Sequence, residues 1–229
     1  TTSVGSNVFR GYLEGASRFQ FDPYWSFSAS GRYASDRTFL RRYDISRDDR
    51  LRSTFSVERI GGRSYFSLAG WAVQTLRTGD PQGLAPMALP ELDYRLRMDT
   101  PLVGGTVQLQ ANSLAIARSE GQDTQRAFAS AKWDRRTING LGQEMTFTML
   151  ARGDVYNSAD NASTLTAIYR GETGWQTRSI FAASADIKWP FVGQTFGGTQ
   201  IFTPRVQMVA APAIGNLNIP NEDSRAVDL

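Results

Sequence analysis

The sequence contains neither cysteine nor histidine, and only two of its 25 basic residues, Lys132 and Lys188, are lysines. The lack of cysteine excludes disulfides, thiolate nucleophiles and cysteine-ligated metals within these 229 residues. The lack of histidine removes the commonest general base and the commonest metal ligand. Most hydrolase and metalloenzyme designs are thereby excluded, and we predict no enzymatic activity, no catalytic residue, no metal site and no cofactor.

Long apolar runs and concentrated charge are also lacking. No segment approaches the roughly 18 apolar residues of a transmembrane helix, and no secretory signal peptide is recognisable. The net charge is only +3, so we predict no nucleic-acid partner, which would need a concentrated basic face. The preference for arginine over lysine has two explanations: recognition of phosphates or carboxylates, and a bias of genome base composition.

What the sequence does contain is alternation of apolar and polar residues with a period of two. In ELDYRLRM (91–98), every second residue is apolar and the others are charged, which is the pattern of a strand with two unlike faces. No segment shows helical periodicity, so the predicted class is all-β and antiparallel. The predicted strands are 8–21, 24–34, 51–60, 63–77, 91–99, 106–118, 126–136, 142–154, 178–189 and 200–210.

The lengths of these strands favour a transmembrane β-barrel, in which the ten strands either close a small barrel or form part of a larger outer-membrane barrel. Strands of globular proteins average about five or six residues, whereas a tilted strand needs about 9–11 residues to cross a bilayer. Small residues on the apolar faces, such as Ala129 and Ala183, argue against the bulkier core of a sandwich. Aromatic residues near strand ends fit an interfacial girdle; they are Tyr24, Trp25, Tyr33, Trp133, Trp189 and Phe191.

Connections between the predicted strands alternate in length. Short turns are predicted at 22–23, 61–62, 101–105, 137–141 and 191–198. Longer tracts are predicted at 35–50, 78–90, 119–125, 155–177 and after 210. Because outer-membrane barrels have short periplasmic turns and longer outer loops, the longer tracts are expected on the extracellular side.

The polar faces of the predicted strands carry many charges, which favours a wet lumen over a small, tightly packed barrel. Two interpretations stay open: the charges line a functional chamber, or they are the charged interior of any large barrel. The candidate lumen-facing residues are Arg52, Glu58, Glu91, Asp93, Arg95, Arg97, Arg152, Asp154, Asp186 and Lys188.

Six stretches occur in an order that matches a known family. They are RGYLEG (10–15), SDRTFLRRYD (35–44), LRSTFSVE (51–58), PMALPELDYRL (86–96), IKWPF (187–191) and FTPRVQMVAAP…IPNEDSR (202–225). Each is short, but together they cover nearly the whole chain. They resemble the LptD family of outer-membrane lipopolysaccharide-assembly proteins, in particular its alphaproteobacterial branch.

The resemblance implies a very large barrel in the outer membrane of a Gram-negative bacterium, preceded by a periplasmic β-jelly-roll. It implies that the barrel encloses the lipoprotein LptE, that the N-terminal domain joins an LptA-type bridge, and that lipopolysaccharide is inserted into the outer leaflet. Residues 1–229 are then expected to be part of the barrel domain, without the jelly roll and the C-terminal strands. Two other functions stay open: a general porin or uptake barrel, and a soluble β-sandwich binding module.

The arginine-rich tract 35–53 is predicted to be an outer loop. Under the resemblance, its guanidinium groups contact lipopolysaccharide phosphates through charge-assisted hydrogen bonds; the candidates are Arg37, Arg41, Arg42 and Arg47. The alternative, which we favour, is a loop neutralised by internal pairs such as Arg47–Asp49 and Asp44–Arg42. Surface pairs of this kind contribute little stability.

The family motif loop consists of Pro220, Asn221, Glu222, Asp223 and Ser224. On an extended chain Glu222 and Asp223 point to opposite sides, whereas paired catalytic carboxylates converge on one substrate. The oxygens also fall short of the set that a calcium loop needs. We predict a structured loop in which Pro220 ends the preceding extended tract and polar side chains cap backbone N–H groups.

Overall fold

A computed structural model describes residues 10–99, 104–164, 166–213, 215 and 218–221. Within these ranges lie two short α-helices, α1 (Phe39–Arg42) and α2 (Ala167–Arg170), and two 3-10 turns, Gln82–Leu84 and Asn161–Ser163. The strands are β1 (Tyr12–Gln20), β2 (Trp25–Ala34), β3 (Arg50–Ile60), β4 (Ser64–Thr75), β5 (Met87–Asp99), β6 (Thr106–Ala117), β7 (Asp123–Ile138), β8 (Glu144–Ala159), β9 (Gly174–Lys188), β10 (Phe191–Thr195), β11 (Gly198–Phe202) and β12 (Arg205–Ala210). None of the described helices is long and apolar enough to cross a membrane.

Ten of the strands form a single antiparallel sheet, which confirms the predicted all-β class. The order is β1-β2-β3-β4-β5-β6-β7-β8-β9-β12, so each strand pairs with its neighbour in the chain apart from the step over β10 and β11. Among the described residues, the outer edges of β1 and β12 have no partner strand, and the sheet is open.

Several strands extend beyond their predicted limits. β5 begins at Met87 instead of 91, because a β-bulge between Ala88 and Glu91 accommodates Pro90, which cannot donate to the ladder. β8 and β9 lengthen through pairs such as Asn157↔Trp175, where cross-strand pairing overrides the low strand propensity of asparagine. The predicted tract 155–177 is therefore reduced to a connection at 160–173.

The predicted turn at 191–198 and the predicted strand 200–210 are wrong. β10 and β11 form a separate two-stranded hairpin, and β12 begins only at Arg205, where it returns to pair with β9. Phe196 and Gly197 form the two-residue loop with φ of 53° and 76°, the left-handed pair that a type I′ turn requires. This turn folds 198–202 back onto 191–195.

The two ends of the sheet differ in their connections. The short-turn end carries the connections 21–24, 61–63 and 139–143, and the long-loop end carries 35–49, 76–86 and 160–173. The predicted alternation fails at two places. The 118–122 connection at the long-loop end is short, and the connection of β9 to β12 at the short-turn end contains the hairpin.

The register divides the sheet into two unlike faces, because residues directly opposite on neighbouring strands share a face and successive residues alternate. The apolar face includes the row Leu109, Ala131, Ala151 and Phe181 across β6 to β9. The polar face includes the adjacent row Gln110, Ser130, Arg152 and Ile180. Within the described strands, the charged residues in register with the apolar face lie near strand ends: Arg59, Asp123 and Arg135.

Few apolar side chains are buried in the described part of the chain. One hydrophobic cluster, formed by Ala34, Leu40, Leu51 and Leu76, lies at the long-loop end, where α1 packs against strand ends. Side chains of the apolar face stay exposed, including Met149 at 57% and Phe181 at 56%. Among the described residues, no internal core covers the apolar face of the sheet, which is presented to its surroundings.

Candidate functional site

All ten charged residues predicted to face a lumen are in register on the polar face. On β5, Arg95 and Arg97 lie on either side of Leu96, which belongs to the apolar face. On β8, Arg152 and Asp154 lie on either side of Gly153 in the same way. Arg52, Glu58, Glu91, Asp93, Asp186 and Lys188 are in register with them. The structure thus brings the ten together on one surface. That this surface lines a lumen stays a prediction.

Some ion pairs on this face join residues two positions apart on one strand, and others join residues of neighbouring strands. Arg95 contacts Asp93 at 2.6 Å, and Arg97 contacts Asp99 at 3.1 Å. The arginine side chains of both pairs are largely exposed, so each pair contributes less than about 1 kcal/mol to stability. The result is a hydrated surface that carries both signs of charge.

One group differs from these exposed pairs in its burial, and we call it the Asp154 cluster: Phe128, Arg152, Asp154, Tyr156 and Arg178. The Asp154 side chain is only 1% exposed. Arg152 donates to its Oδ1 through Nε at 2.8 Å and Nη2 at 2.5 Å, and Arg178 donates to its Oδ2 through Nε at 3.2 Å. Two guanidinium groups thus surround one carboxylate and leave excess positive charge.

Aromatic rings hold both guanidinium groups of the Asp154 cluster in place. The Arg152 guanidinium lies 3.7 Å from the centroid of the Phe128 ring, a cation–π distance. Arg178 lies over Tyr156 and also donates to its hydroxyl at 2.8 Å. A pair of positioned guanidinium groups is suited to bind phosphate or carboxylate groups.

Sequence reasoning identified Arg152 and Asp154 but missed Arg178, Tyr156 and Phe128. Arg178 is the first residue of the predicted strand 178–189, and Tyr156 lies in the predicted loop 155–177. The alternation of β9 does contain the signal, because Arg178 has the same phase as Asp186.

The remaining candidate charges make local contacts. Arg52 lies 4.7 Å from the centroid of the Trp71 ring, and Glu58 accepts a hydrogen bond from the Tyr65 hydroxyl at 3.1 Å. Glu91 adjoins the bulge of β5. At the short-turn end, Asp186 pairs with Arg205, and Lys188 lies 3.8 Å from Glu144.

The arginine-rich loop at 35–49 is held by ion pairs, but not by the predicted ones. Asp49 pairs with Arg41 and Arg77, and Asp48 pairs with Arg32 at 2.7 Å. The predicted Arg47–Asp49 and Asp44–Arg42 pairs do not form in the described structure, where Asp49 pairs with Arg41 of the same loop and with Arg77 of the next loop. Arg37 donates to the Arg77 carbonyl at 2.9 Å. Within the described ranges, Arg42 and Arg47 are exposed and make no ion pair.

Hydrogen bonds lower the pKa of two carboxyls in this loop. The Arg32 guanidinium, followed by the Ser46 hydroxyl, holds the pKa of Asp48 below its usual value. For Asp36, burial alone would raise the pKa, but hydrogen bonds from Thr38 and the charge of Arg10 outweigh it and the pKa is lowered. Both carboxylates are therefore charged at neutral pH.

The long-loop end is tied into one structure that we call the loop belt: 35–49, 76–86, 118–122, 160–173 and 218–221. Each segment forms a hydrogen bond with the next one. The links are Leu76 N–H to the Asp49 carbonyl at 2.8 Å, Glu120 N–H to Gly83 at 2.9 Å, the Gln122 amide to Arg170 at 2.8 Å and Glu172 N–H to Asn218 at 2.9 Å.

The family motif loop joins this belt at its far end. Pro220 is buried, and the Asn221 N–H donates to the Tyr169 carbonyl at 3.1 Å. Glu222, Asp223 and Ser224 lie outside the described residues, so their capping role stays a prediction. In the described part of the chain, no three Asp or Glu residues are grouped so that they could hold a metal ion.

Comparison with known proteins identifies the family. A family model described as LPS transport system D, LptD, matches residues 8–229. Among curated proteins, none matches the chain.

Proposed function

The chain belongs to the LptD family of lipopolysaccharide transport proteins of the outer membrane, and from this premise we propose that it serves to insert lipopolysaccharide into the outer leaflet in a Gram-negative bacterium. It does so without enzymatic activity, as the wall of a translocon that contains the lipoprotein LptE. The assignment to the alphaproteobacterial branch stays a prediction.

The segregation of the two faces carries the proposal. Every backbone polar group within a bilayer needs a partner, and a sheet supplies one from its neighbouring strands. The apolar face then meets lipid, with Arg59 and Arg135 near its rim, where long cationic side chains reach the interface. The polar face meets water.

The polar face suits the saccharide part of lipopolysaccharide better than its acyl chains. Its hydroxyl, amide and charged groups, such as Ser130, Gln110 and Arg95, form hydrogen bonds with sugars and stay hydrated when empty. The Asp154 cluster adds excess positive charge for phosphate groups. The acyl chains remain with the bilayer, and the energy for transport comes from elsewhere in the pathway.

The open sheet supports the proposal on partners. Among the described strands, the outer edges of β1 and β12 have no partner, which fits an arc of a larger barrel. We expect the lumen of that barrel to hold LptE and a periplasmic bridge of the LptA type to deliver the lipid. Full-length protein extracted in detergent should retain LptE in equimolar amount. A general porin, the alternative function, would not, and purification free of any lipoprotein would refute the proposal.

Transport itself tests the role of the Asp154 cluster. In proteoliposomes holding the full-length protein with LptE, Arg178→Gln should slow lipopolysaccharide delivery about tenfold, equivalent to about 1.4 kcal/mol. The control is Arg18→Gln, which removes the same charge from the polar face of β1. Equal rates in the two variants would show that the cluster has no part in transport.

A further inference from the structure

The β10–β11 hairpin is the one part of the described sheet structure that the face segregation does not explain. It lies outside the ten-stranded sheet, and all ten of its strand residues are exposed. Its stretch FVGQTFGGTQIF (191–202) contains no charged residue. Phe196 at its tip is 98% exposed.

Such a hairpin is poorly suited to water. An isolated two-stranded hairpin is at best marginally stable in water, and exposed strand edges usually carry charges that prevent association. The register places Phe191 opposite Phe202 on one side and Val192 opposite Ile201 on the other. Because each side carries an apolar pair and otherwise only uncharged residues, a protein groove that covered one side would leave the apolar pair of the other side in water.

The base of the hairpin lies at the short-turn end of the sheet, where three tryptophans form an aromatic girdle. Trp189, which precedes the hairpin, donates its indole N–H to the Leu141 carbonyl in the neighbouring turn at 3.0 Å and packs against the Phe191 ring, with centroids 5.0 Å apart. Trp133 on the apolar face donates to the Gly104 carbonyl at 2.8 Å, again in a turn. Trp25 begins β2 at the same end. Tryptophans in such positions mark a membrane–water interface.

We propose that the β10–β11 hairpin lies in the lipid headgroup layer at the short-turn end and inserts Phe196 into it, a placement that rests on the proposed lipid contact of the apolar face. The headgroup layer surrounds both sides of the hairpin and so covers the apolar pair on each. It also holds water for the unpaired N–H and C=O groups of the hairpin edges, which the hydrocarbon does not. The lack of charge removes any cost of transferring an ion into the layer.

A hydrogen bond between the residues that flank the hairpin holds its two ends together. Pro190 and Pro204 flank it, and the Trp189 N–H donates to the Pro204 carbonyl at 3.0 Å. The hairpin therefore projects from a pinned base and acts as an anchor that sets the depth of β9 and β12 in the membrane.

A direct test uses cysteines introduced into residues 1–229, which contain no native cysteine. Phe196→Cys is introduced into the full-length protein, labelled with an environment-sensitive fluorophore and reconstituted into phosphatidylcholine–phosphatidylglycerol vesicles. Gln194→Cys provides a second position within the hairpin that does not alter the turn. Lipids that carry a doxyl quencher near the headgroup should quench both labels, because interfacial segments lie roughly 5–10 Å into the headgroup–acyl boundary.

Two reference positions separate this inference from the proposed function. Gly62→Cys lies in the polar 61–63 turn at the same end, where an added side chain meets no neighbour, and its label should be quenched by aqueous iodide only. Ala151→Cys reports lipid contact of the apolar face.

The outcomes then have distinct meanings. Lipid quenching at 151 with iodide quenching at 194 and 196 would overturn the hairpin inference alone. Protection of 194 and 196 from both quenchers would also overturn it, in favour of a protein partner. Absence of lipid quenching at 151 as well as at 196 would overturn both proposals.

Discussion

Exposure decides which charged residues of the polar face matter for stability and binding. The side chains of exposed pairs, such as Arg97 with Asp99, are hydrated whether or not the pair forms, so these pairs contribute little to stability. Asp154 differs because its carboxylate is enclosed between two arginines and a tyrosine hydroxyl. A buried carboxylate needs such partners to stay charged, and the surplus of guanidinium groups is what makes the position suited to an anion.

Gly171 is the single residue on which the end of the loop belt depends most. Its φ of 62° and ψ of −168° belong to a region that is essentially restricted to glycine. A Cβ there would also lie 2.7 Å from the carbonyl carbon of Ile219. Gly171→Ala should therefore cost about 1–3 kcal/mol locally and detach the 218–221 segment.

Hydrogen exchange measures this effect. The Glu172 and Asn221 amides, which donate across the contact, should exchange faster in Gly171→Ala than in the wild-type protein. The control is Gly62→Ala, since Gly62 has space for a methyl group. Unchanged protection in both variants would contradict the proposed role of Gly171.

Asp48 predicts a pH dependence of the loop belt. Because its pKa is lowered in the folded protein, its carboxylate stabilises the fold above its unfolded pKa of about 3.9. That contribution is lost as the pH falls through the lower, folded pKa. The Tm of the wild-type protein should exceed that of Asp48→Asn at pH 6, and the difference should shrink below about pH 4.

Asp44→Asn is the matched control, since it removes the same charge from the same loop. A constant difference in Tm between wild type and Asp48→Asn across this pH range would contradict the assignment. High salt should also reduce the difference, because the Arg32–Asp48 pair is partly exposed.

Strand alternation was enough to predict which residues share a face but not which residues contact each other. The phase of Asp186 and Lys188 follows from the local sequence alone, and the register confirms that they share a face. Their partners depend on the register between strands. Arg205 contacts Asp186 only because β12 begins after Pro204 and returns to β9, and no local pattern specifies that return.

At the scale of the strand, β8 shows the contrast between the faces most directly. Leu150 lies opposite Lys132 on the polar face, and its neighbour Ala151 lies opposite Ala131 on the apolar face. A charge facing lipid near the bilayer midplane costs about 2–4 kcal/mol, whereas lumen positions tolerate charge. Ala151→Arg should therefore destabilise the folded barrel by about that amount, and Leu150→Arg should not.

Urea unfolding of the full-length protein in vesicles measures the free energy of unfolding of each variant. The two variants introduce the same side chain at adjacent positions, so helix or strand propensity does not distinguish them. Equal destabilisation would contradict the assignment of the faces.

The hairpin is the element that the sequence did not reveal. Its formation depends on a two-residue turn in which Phe196 adopts a positive φ, a conformation that is unusual for a bulky residue. The alternation of 200–210 reads as one strand, although Thr203 and Pro204 divide it into β11 and β12. The geometry of the turn, and not hydrophobic periodicity, determines how residues 191–210 divide into strands.

For the molecule as a whole, burial is concentrated at one end. The hydrophobic cluster around Leu40 and the loop belt hold the long-loop end together, while the apolar face of the sheet remains exposed. A soluble protein would bury such a face against a second layer. In a membrane protein the apolar face contacts lipid and the other face contacts water. The exposed apolar face of this sheet is consistent with membership of the LptD family.

The central claim is that the two faces of this sheet meet lipid and water, and one measurement tests it most directly. Single cysteines are placed along β8 of the full-length protein in vesicles, at Thr148, Met149, Leu150 and Ala151. We predict that labels at 149 and 151 are quenched by doxyl lipids and that cysteines at 148 and 150 react with a water-soluble maleimide. Reaction with the maleimide at all four positions, without lipid quenching at any, would contradict the account.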